Sequence, residues 1–211
     1  MRLETARLTL TPVTAADLEA LHEIWTAPGV RRFLWDDEIV SRERVRSIVT
    51  TSTRLWSANR YGLWTARRHD ETVPIGVGGF WYFHEPPRLE LVYGLRDEET
   101  GRGFATELAR ALVEFGRTSL HLAEILASTD AANLRSRRVL AKLRFAVERQ
   151  TVAAGRDTCF YRLELSLGSQ GDDRVDAGRP EGRDEDRHER GCREDAGRRD
   201  VGEEVGRTDA E

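Results

Sequence analysis

Two cysteines and one lysine are all that this 211-residue chain carries of either type, although it holds 33 basic and 37 acidic residues. Cys159 lies in a strand-like run and Cys192 in a charged stretch, so neither a disulfide framework nor a cysteine metal site is expected. No apolar run approaches the ~20 residues of a membrane-spanning helix, and the N-terminus lacks the apolar stretch of a secretory signal. A cytoplasmic protein with no membrane partner and no bound metal is expected. The single lysine, Lys142, follows no glycine-rich loop, which excludes a lysine-bearing phosphate loop of the nucleotide-hydrolysing type.

Aromatic residues are absent from residue 168 onward, where 15 acidic residues face nine arginines. Such a segment cannot bury enough apolar surface to offset its ordering entropy, so residues 168–211 are expected to be a disordered tail. Residues 1–167 form the expected folded domain. That body is close to neutral, with 24 basic against 22 acidic residues, and lacks a basic stripe with interleaved aromatics. A nucleic-acid partner is therefore not expected.

The periodicities within the body predict an ordered series of elements. Leu8 and Leu10 alternate with Thr9 and Thr11 in a half-buried strand from Arg7 to Val13. A capping-box pattern, Thr14-Ala15-Ala16-Asp17, precedes Leu18, Leu21, Ile24 and Trp25 at helical spacing. Thr26 to Val40 reads as a loop, and a second helix runs from about Ser41. Strands follow at Gly62 to Arg68, Val73 to Phe83 and Arg88 to Arg96, the last with Leu89, Leu91, Tyr93 and Leu95 alternating against Arg88, Glu90, Val92 and Gly94. A helix from Gly103 to Thr118, a strand at Leu122 to Ser128, a short helix at Asn133 to Lys142, and a hairpin turning at Ala154-Gly155 complete the body. This order predicts an α/β domain with a mixed sheet and helices on both faces.

The most informative stretch is Thr100-Gly101-Arg102-Gly103-Phe104-Ala105-Thr106-Glu107, between a strand and a helix. Two glycines at such a turn let backbone N–H groups approach an anion, and the helix start adds unpaired N–H groups and a positive dipole end. Without a lysine, the turn suits holding a diphosphate. A dinucleotide-binding fingerprint does not fit, because Thr106 stands where the third glycine would be and hairpins precede the turn.

Several segments together resemble the GNAT acetyltransferases, in particular the RimJ/RimL-like branch of ribosomal-protein N-terminal acetyltransferases. They are Leu3-Glu4-Thr5-Ala6-Arg7-Leu8, Ile75-Gly76-Val77-Gly78-Gly79-Phe80, Glu90-Leu91-Val92-Tyr93-Gly94-Leu95, Gly101 to Glu107, and Asn133-Leu134-Arg135-Ser136 followed by Val139-Leu140 and Lys142-Leu143-Arg144-Phe145. The resemblance spans nearly all of residues 2–165. It implies a mostly antiparallel sheet splayed at the fourth predicted strand, with acetyl-CoA as donor. Its diphosphate would lie on the N–H groups of Gly101, Arg102, Gly103, Phe104, Ala105 and Thr106. Its pantetheine arm would lie along Tyr93 to Asp97, Leu95 included, with Asn133 bonding a pantetheine amide. Arg144 stands where the family has glycine, so the turn there is expected to avoid positive φ.

The implied reaction is attack of a neutral primary amine on a thioester in a ternary complex. An α-amine titrates near ~7.8 and a lysine amine near ~10.4, so a weak base or a water chain must take a proton first. Glu90, mid-strand among apolar neighbours, is the candidate base. The resemblance implies Ser136, by its motif position, as the proton donor to the leaving thiolate, with Tyr93 as its alternative. His84 is the one histidine expected near the acceptor, and Trp35, Trp81 and Tyr82 are candidates for the acceptor groove. Cys159 is expected to be core. The acceptor amine is a protein N-terminus or a small amine, and the chain a monomer or homodimer. The reading from another class is a non-catalytic acyl-CoA-binding scaffold module with a partner-recruiting tail.

Overall fold

Strict alternation builds the first part of the sheet. In a computed structural model that describes residues 1–165, Leu8 and Leu10 of strand β2 (Leu8–Pro12) are fully buried, while Thr9 and Thr11 between them are only partly covered. The expected tail, 168–211, lies outside the described residues. β2 is flanked by a two-residue strand, β1 (Leu3–Glu4), and by β3 (Leu63–Arg68), which continues antiparallel into β4 (Gly76–Phe83) and β5 (Arg88–Leu95). Beyond β5 lie β6 (Glu124–Asp130), then β8 (Arg156–Glu164), then β7 (Ala146–Ala153) at the far edge. Seven of the eight strands were expected among these residues. β1 was not, being too short to carry a period.

Helices cover both faces. Helices α1 (Leu18–Thr26), α2 (Pro28–Leu34) and α3 (Arg42–Asn59) bury Leu21, Ile24, Val45, Ile48 and Val49 against Leu63 and Val77. The carboxylate of Asp17 accepts the Thr14 N–H at 2.8 Å, so the predicted capping box closes a short 3-10 turn, Ala15–Asp17, that leads into α1. Ser41 caps α3, accepting the Arg44 N–H at 3.2 Å. On the other face α4 (Phe104–Thr118) buries Leu108, Leu112 and Phe115, each worth about 1.5–3 kcal/mol of apolar transfer. Gly78 lets it sit close, since a Cβ there would come within 2.9 Å of Leu112. α5 (Leu134–Lys142) follows β6. Among the described residues no helix is long and apolar enough to cross a membrane.

Three expectations need correction. The segment Thr26 to Val40 is not a plain loop: Pro28, at the first helical turn with its φ already set, starts α2, and Val30 docks on Gly94. The strands expected from Val73 and Leu122 begin at Gly76 and Glu124; Pro74 cannot donate to a ladder.

Arg144 does adopt positive φ, at 64°. Its N–H bonds the Ala141 carbonyl at 2.9 Å and the Phe145 N–H bonds the Leu140 carbonyl at 3.0 Å. This is the Schellman closure of α5, with arginine where glycine is usual. The two bonds and the burial of Phe145 outweigh a left-handed cost of about 1–2 kcal/mol. Replacing Arg144 by glycine relieves that cost but loosens the unfolded chain by about 0.5–1 kcal/mol. Arg144→Gly is therefore expected to be neutral or to raise the melting temperature by about 2–4 °C. A thermal scan checks this, and a fall of that size would count against strain at the site.

Candidate active site

β5 pairs with β4 over eight residues and β6 with β8 over seven, but β5 and β6 meet at one parallel pair, Glu90↔Leu126. Past it the strands diverge, leaving one edge of Leu91–Leu95 outside any ladder. The sheet is splayed at the fourth predicted strand, as expected. This seam leads from Glu90 at one end to the glycine turn beyond β5 at the other.

The turn has the dihedral angles that its glycines predict. φ is 77° at Gly101 and 83° at Gly103, the N-cap of α4, which has no side-chain cap. The first bond into the helix is Glu107 N–H to the Gly103 carbonyl, 3.1 Å. The N–H groups of Gly103, Phe104, Ala105 and Thr106 thus have no partner within the helix. A Cβ on Gly101 would meet nothing within 4 Å, so the turn faces open space.

The first strands hold this turn in place. The Glu107 carboxylate accepts the Thr5 hydroxyl at 2.7 Å, the Arg7 N–H at 2.8 Å and the Arg7 Nε at 2.7 Å. Arg7 also donates to the Arg102 carbonyl at 3.1 Å and lies 4.4 Å over the Phe104 ring. Arg102 in turn pairs with buried Glu99 at 2.8 Å. Leu95 ends β5 with its side chain packed over Gly76, so only its main chain faces the seam.

Alternation sends β5 side chains to opposite faces. On one, the Tyr93 hydroxyl lies 3.0 Å from Ser136 Oγ and donates to the Ser136 carbonyl at 3.3 Å. Burial pushes the Tyr93 phenol above its ordinary range, against a smaller opposing pull from the Ser136 bond. Asn133 caps α5, its Oδ1 accepting the Ser136 N–H at 3.1 Å, which leaves its amide N–H groups available.

On the other face Glu90 is 1% exposed. Ser128 Oγ donates to Glu90 Oε2 at 2.5 Å, and His84 Nε2 lies 3.0 Å from the same hydroxyl. Among the described residues Glu90 Oε1 has no hydrogen-bond partner, although His84 Nε2 at 3.5 Å and Arg88 Nε at 3.9 Å are within ion-pair distance. His84 lies 4.9 Å from the Phe160 ring and on the wall of a cavity of about 340 Å³. Trp35, Trp81 and Tyr82, expected near the acceptor, line that cavity too, as does Val92. Cys159 is fully buried, as expected of a core residue.

Glu90 and His84 were singled out from the sequence; Ser128, which joins them, was not. It sits at the end of a predicted strand with no motif around it. Only the parallel pairing of β5 with β6 brings it to Glu90. Tyr93, Ser136 and Asn133 come together as one group, on the opposite face from Glu90.

Comparison with known proteins gives a consistent result. The acetyltransferase (GNAT) domain family matches residues 7–146. The chain is 31% identical over 147 residues to the N-acetyltransferase YoaA of Bacillus subtilis, and 32% identical over 151 residues to the N-acetyltransferase p20 of Bacillus licheniformis. Each match covers 69% of this chain and 83% of the relative. Among solved structures, an acetyltransferase from Agrobacterium tumefaciens has the same fold with a TM-score of 0.68 at 21% identity, covering 78% of this chain and 95% of that one. RimL, a ribosomal L7/L12 α-N-protein acetyltransferase in complex with coenzyme A, has it with a TM-score of 0.68 at 17% identity, covering 80% and 100%.

The ties to Glu107 make a prediction about the turn. Burial raises its carboxyl, but hydrogen bonds from Thr5 and Arg7 together outweigh that and hold it below the usual range. A lowered carboxyl contributes stability above its unfolded value of ~4.3, which is lost as pH falls through the lowered folded value. Glu107→Gln is expected to cost about 1.5–3 kcal/mol at pH 7, a melting shift of roughly 4–8 °C. In thermal scans from pH 7 to pH 3 the gap to the wild type should close below about pH 4. A gap independent of pH would show that charge plays no part.

Proposed function

Because the chain belongs to the GNAT acetyltransferases, a family of acyl-transferring enzymes, we propose that it moves the acetyl group of acetyl-CoA to a primary amine by direct attack in a ternary complex. The observation that carries this reading is the open seam between β5 and β6, with an uncapped helix start at one end and a buried carboxylate at the other. The free N–H groups from Gly101 to Thr106 suit the donor's diphosphate. The unladdered edge of Tyr93 to Asp97, main chain of Leu95 included, suits its pantetheine arm as an added strand. The Asn133 amide is free to donate to a pantetheine carbonyl.

In this reading the acceptor amine comes from the cavity side and loses a proton towards Glu90. Ser128 and His84 connect Glu90 to the cavity wall, so the proton passes through them to the carboxylate. The amine nitrogen then forms its bond to the acetyl carbon, and the carbon–sulfur bond breaks. The departing thiolate, with a pKa near ~8.5, takes a proton from the Tyr93–Ser136 hydroxyl pair on the other face. The remaining excess proton of the new amide nitrogen passes to solvent, from which that pair regains its own. Burial keeps the Tyr93 phenol protonated at neutral pH and above, as a proton donor must be. An α-amine demands least of such a base, which fits a peptide N-terminus or another weakly basic amine.

Calorimetry and thiol-release assays test the two halves separately. Coenzyme A should bind the wild type, and Gly103→Glu, which sets a carboxylate among the N–H donors, should weaken it by about 100-fold or more. Glu90→Gln should lower kcat by roughly 10²–10⁴-fold with coenzyme A affinity intact, and Ser128→Ala should follow it in direction. Tyr93→Phe should lower kcat, while the wild type shows no alkaline loss from Tyr93 up to about pH 9. Coenzyme A binding without transfer to any amine would instead favour an acyl-CoA-binding scaffold.

A further inference from the structure

The cavity beside His84 has walls that say more about the acceptor than its position does. Trp25, Leu34 and Ile48 join Trp35, Trp81 and Val92 in an apolar lining. On α3, Arg44, Ser47 and Thr51 recur at helical spacing and present one cation and two hydroxyls along one side. Among the described residues no aspartate or glutamate lines the cavity. Among the described residues the Arg44 guanidinium, exposed at the rim, has no carboxylate within ion-pair distance. At about 340 Å³ the space falls at the low end of ligand cavities, which run from about 300 to 1,000 Å³.

The two tryptophans supply apolar wall and the two hydroxyls supply polarity. The rings of Trp25 and Trp35 pack 5.3 Å apart in the lining, with their indole N–H groups buried away from the space. Trp25 itself is 3% exposed. The Ser47 and Thr51 hydroxyls, which do line the space, can each donate a hydrogen bond to an oxygen that the ligand brings. Aromatic faces can hold one cation, which the reacting ammonium supplies. A second ammonium would find no carboxylate there and would meet Arg44 at the mouth.

Resting on the acetyl-transfer reading, we infer that this cavity selects a primary amine carried on one compact apolar body, with a hydrogen-bond-accepting oxygen and no second positive charge. That is the chemistry of an apolar or aromatic amino acid, whether free or as the first residue of a peptide. Polyamines and aminoglycosides, which carry several ammonium groups, are excluded by the same walls.

The test uses the full chain with acetyl-CoA and five acceptors: phenylalanine, phenylalaninamide, a tripeptide beginning with phenylalanine, spermidine and an aminoglycoside. Thiol release gives the rates, and intrinsic tryptophan fluorescence with coenzyme A present gives binding separately. The best phenylalanine-type amine should exceed spermidine and the aminoglycoside in kcat/KM by roughly 100-fold, because each extra ammonium goes unpaired. Arg44→Glu, an exposed change, should narrow that ratio by about tenfold. A preference for the free amino acid or for the tripeptide would each support the inference and assign its source. Equal or faster turnover of spermidine or the aminoglycoside would overturn it and leave acetyl transfer standing. A saturable fluorescence change with phenylalaninamide but no turnover of any acceptor would support the cavity's selectivity and overturn the transfer reading. Neither a fluorescence change nor turnover with the apolar amines would overturn the inference.

Discussion

The candidate site depends on two parallel strands that touch once and then part. β5 and β6 share the pair Glu90↔Leu126, while each keeps a full antiparallel ladder with its other neighbour. Those outer ladders are what make the gap tolerable, because the main-chain groups facing outward are already bonded. The groups facing inward form a strand-shaped slot with donors and acceptors in fixed order. A helix start without a side-chain cap lies where the slot ends. Closing the seam with a regular ladder would satisfy those main-chain groups and remove the slot.

Alternation along β5 then distributes the chemistry. Glu90 and Val92 face the cavity side, while Leu91, Tyr93 and Leu95 face α4 and α5. The Glu90 carboxylate and the Tyr93–Ser136 hydroxyl pair therefore sit on opposite sides of one strand, separated by the strand itself. A slip of one residue in register would exchange the two sets, so the eight-residue ladder with β4 is what keeps them apart. Burial acts on both sides, raising the Tyr93 phenol on one and removing the Glu90 carboxylate from solvent on the other.

Much of this was legible in the residues because the signals are local. Leu8 and Leu10, the Thr14–Asp17 box, the stripe Leu108, Leu112 and Phe115, and the glycines of the turn each express a short-range rule. The signals that were missed are long-range or overridden. Ser128 meets Glu90 across 38 residues, through a pairing with no local signature. Arg144 breaks a local preference because two carbonyls and buried Phe145 demand the left-handed turn. α2 hides in a stretch whose Pro28-Gly29 and Trp35-Asp36-Asp37 read as loop, although proline at a first turn is as good a start as a stop. Tyr93 and Ser136 were weighed as alternatives, whereas a 3.0 Å contact joins them into one unit.

A carboxylate as buried as Glu90 has a desolvation cost that one serine hydroxyl does not cancel. The nearest guanidinium is Arg88, 3.9 Å from Oε1, and it is not free to approach further. Glu148 on β7 holds it at 3.0 Å, Arg162 on β8 holds Glu148 at 2.6 Å, and Glu124 on β6 holds Arg162 at 2.7 Å. The hydrogen bonds from Arg162 and Arg88 keep the Glu148 carboxyl below its usual range, so this chain of charges stays intact at neutral pH. Exposed pairs of this kind add little stability each. Their effect is positional: an edge strand with an exposed surface fixes a cation beside Glu90 without letting it close on the free oxygen. Direct pairing would occupy Oε1, the oxygen that Ser128 leaves open. Held at this distance, Arg88 offsets part of the burial cost and leaves Oε1 without a hydrogen bond among the described residues.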